Sequence, residues 1–321
     1  MNALSKRQFL KLSLASGVAL SLSACGGGDD HDIVDVLSDY SEYSLLVEAV
    51  QAAGLVDTLK GRGPFTVFAP TNTAFVNLLG ELETTKDALF ANKPLLTAVL
   101  TYHVLAARVP AADIPFGRAI TTVETGIFKI DNVGGPVITD ERNRESKIIR
   151  TNLFASNGVI HGIDKVILPG DDTKDNIVAR AEGLGFTTLV AAVKAAGLEG
   201  ALAGSDLLTV FAPTNQAFED AFTALGKTPE QVLADTALLT KILTYHVVTG
   251  RVLKADVPLN TDIPTRLEGE TFQVTLVNGD LQIVDVAESG AKIITTDVLA
   301  SNGVIHVIDK VILPFVPELP V

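Results

Sequence analysis

The chain has 321 residues, enough for two domains that each bury a core, and its 38 acidic against 25 basic residues leave a net charge of −13. So acidic a surface repels phosphate backbones and anionic lipid faces, which excludes nucleic acid as a partner. A single cysteine excludes an intramolecular disulfide, so packing has to hold the fold together.

Residues 1–24 read as a signal peptide and not as part of a domain. Lys6, Arg7 and Lys11 make a basic start, and Leu12 to Leu22 make an apolar run too short for the roughly 20 residues of a membrane-spanning helix. The run ends in Leu22-Ser-Ala-Cys25, which resembles a bacterial lipobox. That resemblance implies cleavage, lipidation of the Cys25 thiol, and a tether over residues 25–31 that includes Gly26-Gly-Gly-Asp-Asp30. Acyl chains contribute ~0.8 kcal/mol per buried methylene, so the protein is expected to sit on a membrane without crossing it. Ser5-Lys6-Arg7-Gln8-Phe9-Leu10-Lys11 is similar to a twin-arginine export signal, with a lysine where the first arginine belongs, and both export routes stay open. Gly26 in place of an aspartate after the cysteine favours the outer membrane if the envelope is Gram-negative. Loss of the three basic residues takes the balance from −13 to −16.

Beyond the tether, Ile33, Val36 and Leu37 share one helical face; Leu45, Leu46, Ala49 and Val50 share another, ended by Gly54. Phe65 to Ala69 reads as a short strand broken by Pro70. Thr71 or Asn72 then offers a side-chain oxygen to cap a helix over Ala74 to Leu79. A further helix starts near Pro94, harmless at a first-turn position, and runs to Tyr102 or His103. Strand patterns follow at Ile120 to Val123, Ile127 to Asp131 and Val137 to Thr139. A closing hairpin pairs Lys147 to Phe154 with Val159 to Leu168 around Asn157-Gly158, a dipeptide that tolerates the positive φ of a tight turn. Both arms carry apolar residues on both faces and should lie within a core.

The same plan then returns. Ala155 to Pro169 reappears as Ala300 to Pro314 with 14 of 15 positions identical, and Phe65 to Phe75 reappears as Leu208 to Phe218 with 9 of 11 identical. Thr101-Tyr-His-Val104 matches Thr244-Tyr-His-Val247. A period near 143 is domain-sized, not solenoid-sized, so two homologous domains stand in tandem, over residues 32–170 and 173–316, joined by the short Gly170-Asp-Asp-Thr173. The second copy shows a plainer middle hairpin, Thr271 to Val277 and Leu281 to Asp285 around Asn278-Gly279-Asp280. Helices first and strands later argue for an α+β fold. The tail from Pro314 to Val321 is punctuated by prolines and reads as extended.

Taken together, the Thr-Val-Phe-Ala-Pro-Thr-Asn-x-Ala-Phe block, the Tyr-His pair and the Ser-Asn-Gly-Val-Ile-His-x-Ile-Asp-Lys-Val-Ile-Leu-Pro block resemble the fasciclin (FAS1) domain, twice and in order, over residues 32–316. The resemblance implies two tandem modules, each a β-wedge with packed N-terminal helices, of the kind found in cell-surface and extracellular adhesion proteins.

Four histidines fall at equivalent places. His103 lies seven after Leu96 and three after Leu100, as His246 does after Leu239 and Leu243, which puts each imidazole on a core face near a helix C-terminus. A structural role is one reading. The other comes from the resemblance: in animal fasciclin proteins the Tyr-His region is associated with receptor binding, and it maps here to Tyr102, His103, Tyr245 and His246. His161 and His306 sit in strands, and no closely spaced histidine pair suggests a metal site. Asp164 and Asp309 suit turns and backbone donors better than acid–base chemistry. The sequence contains no Gly-x-Ser-x-Gly, His-Glu-x-x-His or phosphate-binding loop, so no enzyme and no cofactor is expected. The reading is a lipid-anchored extracytoplasmic adhesion or interaction protein of the bacterial cell envelope, facing an extracellular matrix, a glycan or a surface protein. The alternative is a carrier of a small apolar ligand such as a lipid or pigment.

Overall fold

The structure, a computed structural model, describes residues 31–317. The signal peptide, Cys25 and the end of the C-terminal tail lie outside them. Among the described residues no helix is long and apolar enough to cross a membrane.

The first domain opens with helices Ile33–Ser38, Ser44–Ala53 and Val56–Leu59, and adds Asn72–Glu81, Lys86–Ala91 and Lys93–Tyr102 after its first strand. Its strands are β1 (Phe65–Pro70), β2 (Val104–Leu105), β3 (Ala119–Thr121), β4 (Ile127–Asn132), β5 (Pro136–Thr139), β6 (Glu145–Ala155) and β7 (Gly158–Ile163). They form one sheet in the order β2-β1-β7-β6-β5-β4-β3, antiparallel except for β1 against β7. The second domain repeats this with β8 (Leu208–Pro213), β9 (Val247–Thr249), β10 (Asp262–Pro264), β11 (Thr271–Val277), β12 (Asp280–Val284), β13 (Ala291–Ala300) and β14 (Gly303–Ile308), in the order β9-β8-β14-β13-β12-β11-β10.

The parallel pair explains the two repeated sequence blocks. Residues of β1 and β7 alternate between two cores: Val67, Ala69 and Ile160 face the helices, while Phe68 and Ile163 face a second cluster with Tyr102, Phe128, Ile130 and Ile138 inside the wedge. A strand covered on both faces reads as an unbroken apolar run, as Val-Ile-His-Gly-Ile does. The expected burial of both hairpin arms holds for β7, buried at all six positions, and only partly for β6, which has exposed positions along its length and carries two register shifts against β7. The outgoing strand also stops at Ile163 and not at Leu168. Beyond it, side chains replace the ladder: Ile167 N donates to His103 Nε2 and Leu168 N to Asp140 Oδ2.

The closing turn works differently from a positive-φ turn. Neither Asn157 nor Gly158 has positive φ, whereas Asn278 (φ 53°) and Gly279 (φ 92°) do. Asn157 is a clamp: Oδ1 accepts from Ile33 N at 3.0 Å, and Nδ2 donates to Leu59 O and Gly61 O at 2.7 Å each. Asn302 does the same with Ile177 N, Leu202 O and Gly204 O. A Cβ on Gly158 or Gly303 would collide with the carbonyl of Phe65 or Leu208, at the head of the adjoining parallel strand. At the second block Thr71 caps the helix through Ala74 N, and Asn72 bridges to Leu45 N and Ser41 O at the start of the packed helix.

Each domain keeps its own pair of cores. Between them lies a small shared cluster in which Ile127 of the first domain meets Leu253, Leu299 and Val304 of the second.

Candidate functional site

The Tyr-His pair caps the helix Lys93–Tyr102 and is sealed inside. Tyr102 is 0 % exposed and His103 1 %; Tyr245 and His246 are 0 % and 2 %. His103 Nδ1 lies 2.7 Å from Val99 O and its Nε2 3.1 Å from Ile167 N, so the carbonyl fixes the proton on Nδ1 and Nε2 accepts. His246 repeats this with Ile242 O and Ile312 N. Burial pushes both imidazoles down to about 4, which keeps them neutral. The Tyr102 hydroxyl donates to Ile127 O and accepts from Glu141 N, tying the helix end to β4 and to the turn after β5. Burial holds the Tyr102 phenol well above its usual value and pushes Tyr245 up to about 12. A partner could touch none of these four side chains unless the helix end opened. The placement of His103 and His246 fits the structural role that their spacing suggested.

His161 and His306 are likewise engaged with backbone. Each Nε2 sits 2.9 Å from a carbonyl, Val109 O or Val252 O, and each Nδ1 accepts from an amide, Asn152 N or Asp297 N. Asp164 Oδ1 accepts from Lys147 N and Asp309 Oδ1 from Lys292 N, both at 2.7 Å, as turn-satisfying carboxylates do. Among the described residues no group of three or more His, Cys, Asp or Glu is placed to hold a metal. The enclosed apolar cavities lined by His103 and by His246 measure 40 and 20 Å³, too small for an acyl chain or a pigment.

Sequence reasoning missed the seam between the domains. Glu141 Oε1 accepts from Ile127 N at 3.0 Å and lies 3.4 Å from Arg251 Nη2, while its Oε2 accepts from Gly170 N at 3.0 Å. Burial raises the Glu141 carboxyl and lowers the Arg251 guanidinium; each charge is held by the other, that of Glu141 also by these backbone donors and that of Arg251 by the Ser301 carbonyl. Lys129 reaches Asp297 at 3.3 Å, and Asn143 exchanges two hydrogen bonds of 2.8 Å with the backbone of Leu299. Arg180 donates to Glu141 O and Asp175, and Arg142 to Pro169 O, so both ends of the connector are held. A signal for this seam was present: the repeats differ at these positions, with Glu141 against Val286, Asn143 against Glu288, Lys129 against Gln273 and Asn152 against Asp297.

Comparison with known proteins agrees with this duplicated geometry. The family model described as the Fasciclin domain matches residues 41–169 and 184–314. The pig (Sus scrofa) transforming growth factor-beta-induced protein ig-h3 is 32% identical over 259 residues, covering 80% of this chain and 35% of that protein. The uncharacterized protein sll1735 of Synechocystis sp. is 41% identical over 139 residues, 43% of this chain and 98% of that one. A solved FAS1 domain pair from the insect cell adhesion molecule Fasciclin I aligns over 83% of this chain and 95% of that one, at 18% identity and a TM-score of 0.41. The chain therefore spans about a third of the length of ig-h3. With matched residues over most of its length and the same wedge built twice, the chain belongs to the fasciclin domain family.

Proposed function

We propose that this protein is an adhesion or interaction module of the bacterial cell envelope, held outside the membrane by an acylated Cys25 and presenting two fasciclin domains to a matrix, glycan or surface-protein partner, with no catalytic role. The observation that carries the reading is a repeated outward surface. Phe116 and Leu259 stand at equivalent positions, 40 % and 43 % exposed, and so do Ile149 and Ile294, 56 % and 54 % exposed. Large apolar side chains exposed at matching places in both copies suit contact with a partner.

Two experiments test the two halves of the reading. Immobilised protein is screened against envelope glycans and surface proteins, and Phe116→Asp with Leu259→Asp, or Ile149→Asp with Ile294→Asp, is expected to abolish capture. Capture unchanged in both double variants would remove the surface from the proposal. Growth with labelled palmitate should mark the wild type and leave Cys25→Ser unmarked; equal labelling of the two would end the anchor.

A further inference from the structure

The two domains are joined head to tail. One face of the first domain, carrying Lys129, Glu141 and Asn143, packs on a different face of the second, carrying Arg251, Asp297 and Leu299. Because the domains are copies, each also owns the face that the other uses. The second domain carries Gln273, Val286 and Glu288 where the first has Lys129, Glu141 and Asn143, and the first carries Arg108, Asn152 and Phe154 where the second has Arg251, Asp297 and Leu299. The equivalences are structural: Asn152 and Asp297 each accept from the amide of Ala111 or Lys254, and Phe154 pairs with Val159 as Leu299 does with Val304. A heterologous contact of this kind leaves one unused face at each end of the pair.

These unused faces are not built as plain solvent surfaces. Phe154 is 59 % exposed where Leu299 is 0 %, and Val286 is 44 % exposed where Glu141 is 3 %. Val284, 39 % exposed, stands opposite Gln273 where the first domain has Thr139 opposite Lys129. Glu288 gains a charge where the first domain has Asn143, as a solvent-facing position would, yet Val284, Val286 and Phe154 put exposed apolar side chains on the same two ends. The charged pair has changed in concert: Lys129 with Asp297 inside the seam becomes Gln273 and Asn152 on the outside, an amide pair that can exchange hydrogen bonds without a net charge. Arg108 does not need the carboxylate that Arg251 has, since its Nη2 donates to Ala155 O and Gly158 O and its guanidinium lies 5.8 Å from the Phe154 ring centre.

We propose that a second copy of this chain docks there, the Gln273–Val284–Val286 face of one molecule covering the Arg108–Asn152–Phe154 face of the next and repeating the internal seam between molecules. The inference holds whatever partner the adhesive surface takes and whether or not Cys25 is acylated.

The test uses the purified protein carrying Cys25→Ser, in sedimentation velocity from micromolar to near-millimolar concentration. Concentration-dependent association is expected, weakened at least tenfold by Phe154→Asp and by Val286→Asp, and unchanged by Val133→Asp, an exposed apolar change on the β4–β5 hairpin. Single cysteines give the direction. Asn152→Cys and Gln273→Cys proteins, each exposed to a short bismaleimide, should form cross-linked dimers only when mixed. A monomer at every concentration, equal weakening by Val133→Asp, or cross-linking within either cysteine variant alone would overturn the proposal.

Discussion

The Tyr43 hydroxyl lies over Gly162, in the place a Cβ at that residue would take. Gly162 is the one position at which the two 15-residue closing blocks differ, and the second domain has Val307 there, with Phe186 in place of Tyr43. The two differences are therefore one: the phenol oxygen of the first domain occupies the space that the valine side chain fills in the second. The Tyr43 hydroxyl is buried and has no hydrogen-bond partner among the described residues. Tyr43→Phe should raise stability by about 1 kcal/mol, and Gly162→Val alone should lower it by about 2 kcal/mol. The double variant should recover at least about 1 kcal/mol of the loss in a double-mutant cycle measured by denaturant unfolding. Additive effects would show that the two sites do not share this space.

The two kinds of Asn-Gly hairpin should respond unequally. Asn157→Ala or Asn302→Ala removes three side-chain hydrogen bonds, a loss of about 2–4 kcal/mol. Asn278→Ala keeps every partner and suffers only from its positive φ, about 1 kcal/mol. Equal midpoint shifts in urea for Asn157→Ala and Asn278→Ala would contradict this assignment.

Acid should weaken the fold through its buried imidazoles. His103 and His246 are held near 4 in the folded state, below the usual 6.5, so the unfolded chain takes up protons that the folded chain refuses. Their contribution is whole above pH 6.5 and is lost as pH falls toward 4, by about 2 kcal/mol each at pH 5. Burial lowers His161 and His306 as well, which adds in the same direction. The raised carboxyl of Glu141 works the opposite way, since folding favours its protonated form. The check is an NMR titration of the imidazole resonances beside the unfolding free energy. A His103 or His246 resonance that titrates near 6.5 would refute it.

The seam should make the two domains melt together. Glu141→Ala leaves Arg251 buried without its carboxylate and removes the acceptor for Ile127 N and Gly170 N, a loss of about 3 kcal/mol. Calorimetry should then resolve two transitions where the wild type gives one. Glu288→Ala, at the exposed position equivalent to Asn143, should change stability by no more than about 0.5 kcal/mol. A single transition in Glu141→Ala would mean that the coupling lies elsewhere.

How much of this was legible depends on where each signal resides. The repeats, the order of helices and strands and the buried β7 could be read because a core strand writes its burial into a continuous apolar run. The role of Asn157 could not, because its three partners lie near residues 33 and 60 and only folding brings them to the turn. The Asn278-Gly279 turn is local and falls where its dipeptide indicates, although Asp280, expected in the turn, already pairs with Val277 in the strand. The short helix Lys86–Ala91 escaped because six residues carry too little periodicity, and its cap, Thr85, resembles any loop threonine. Burial of His103 and His246 followed from helical spacing, but neither that of Tyr102 and Tyr245 nor which segment would close over them did. The seam was invisible to any reading of one domain, since each of its residues makes sense only against a residue of the other copy.

Glu141 holds Gly170 at the start of the connector, Arg142 holds Pro169 before it and Arg180 holds Asp175 beyond it, so the chain between the domains has little slack to give. A pulling force applied across the two domains would not first lengthen a tether there. It would load a few charged and amide contacts at once, and they would yield together or not at all, making the pair a stiff strut with a single breaking point.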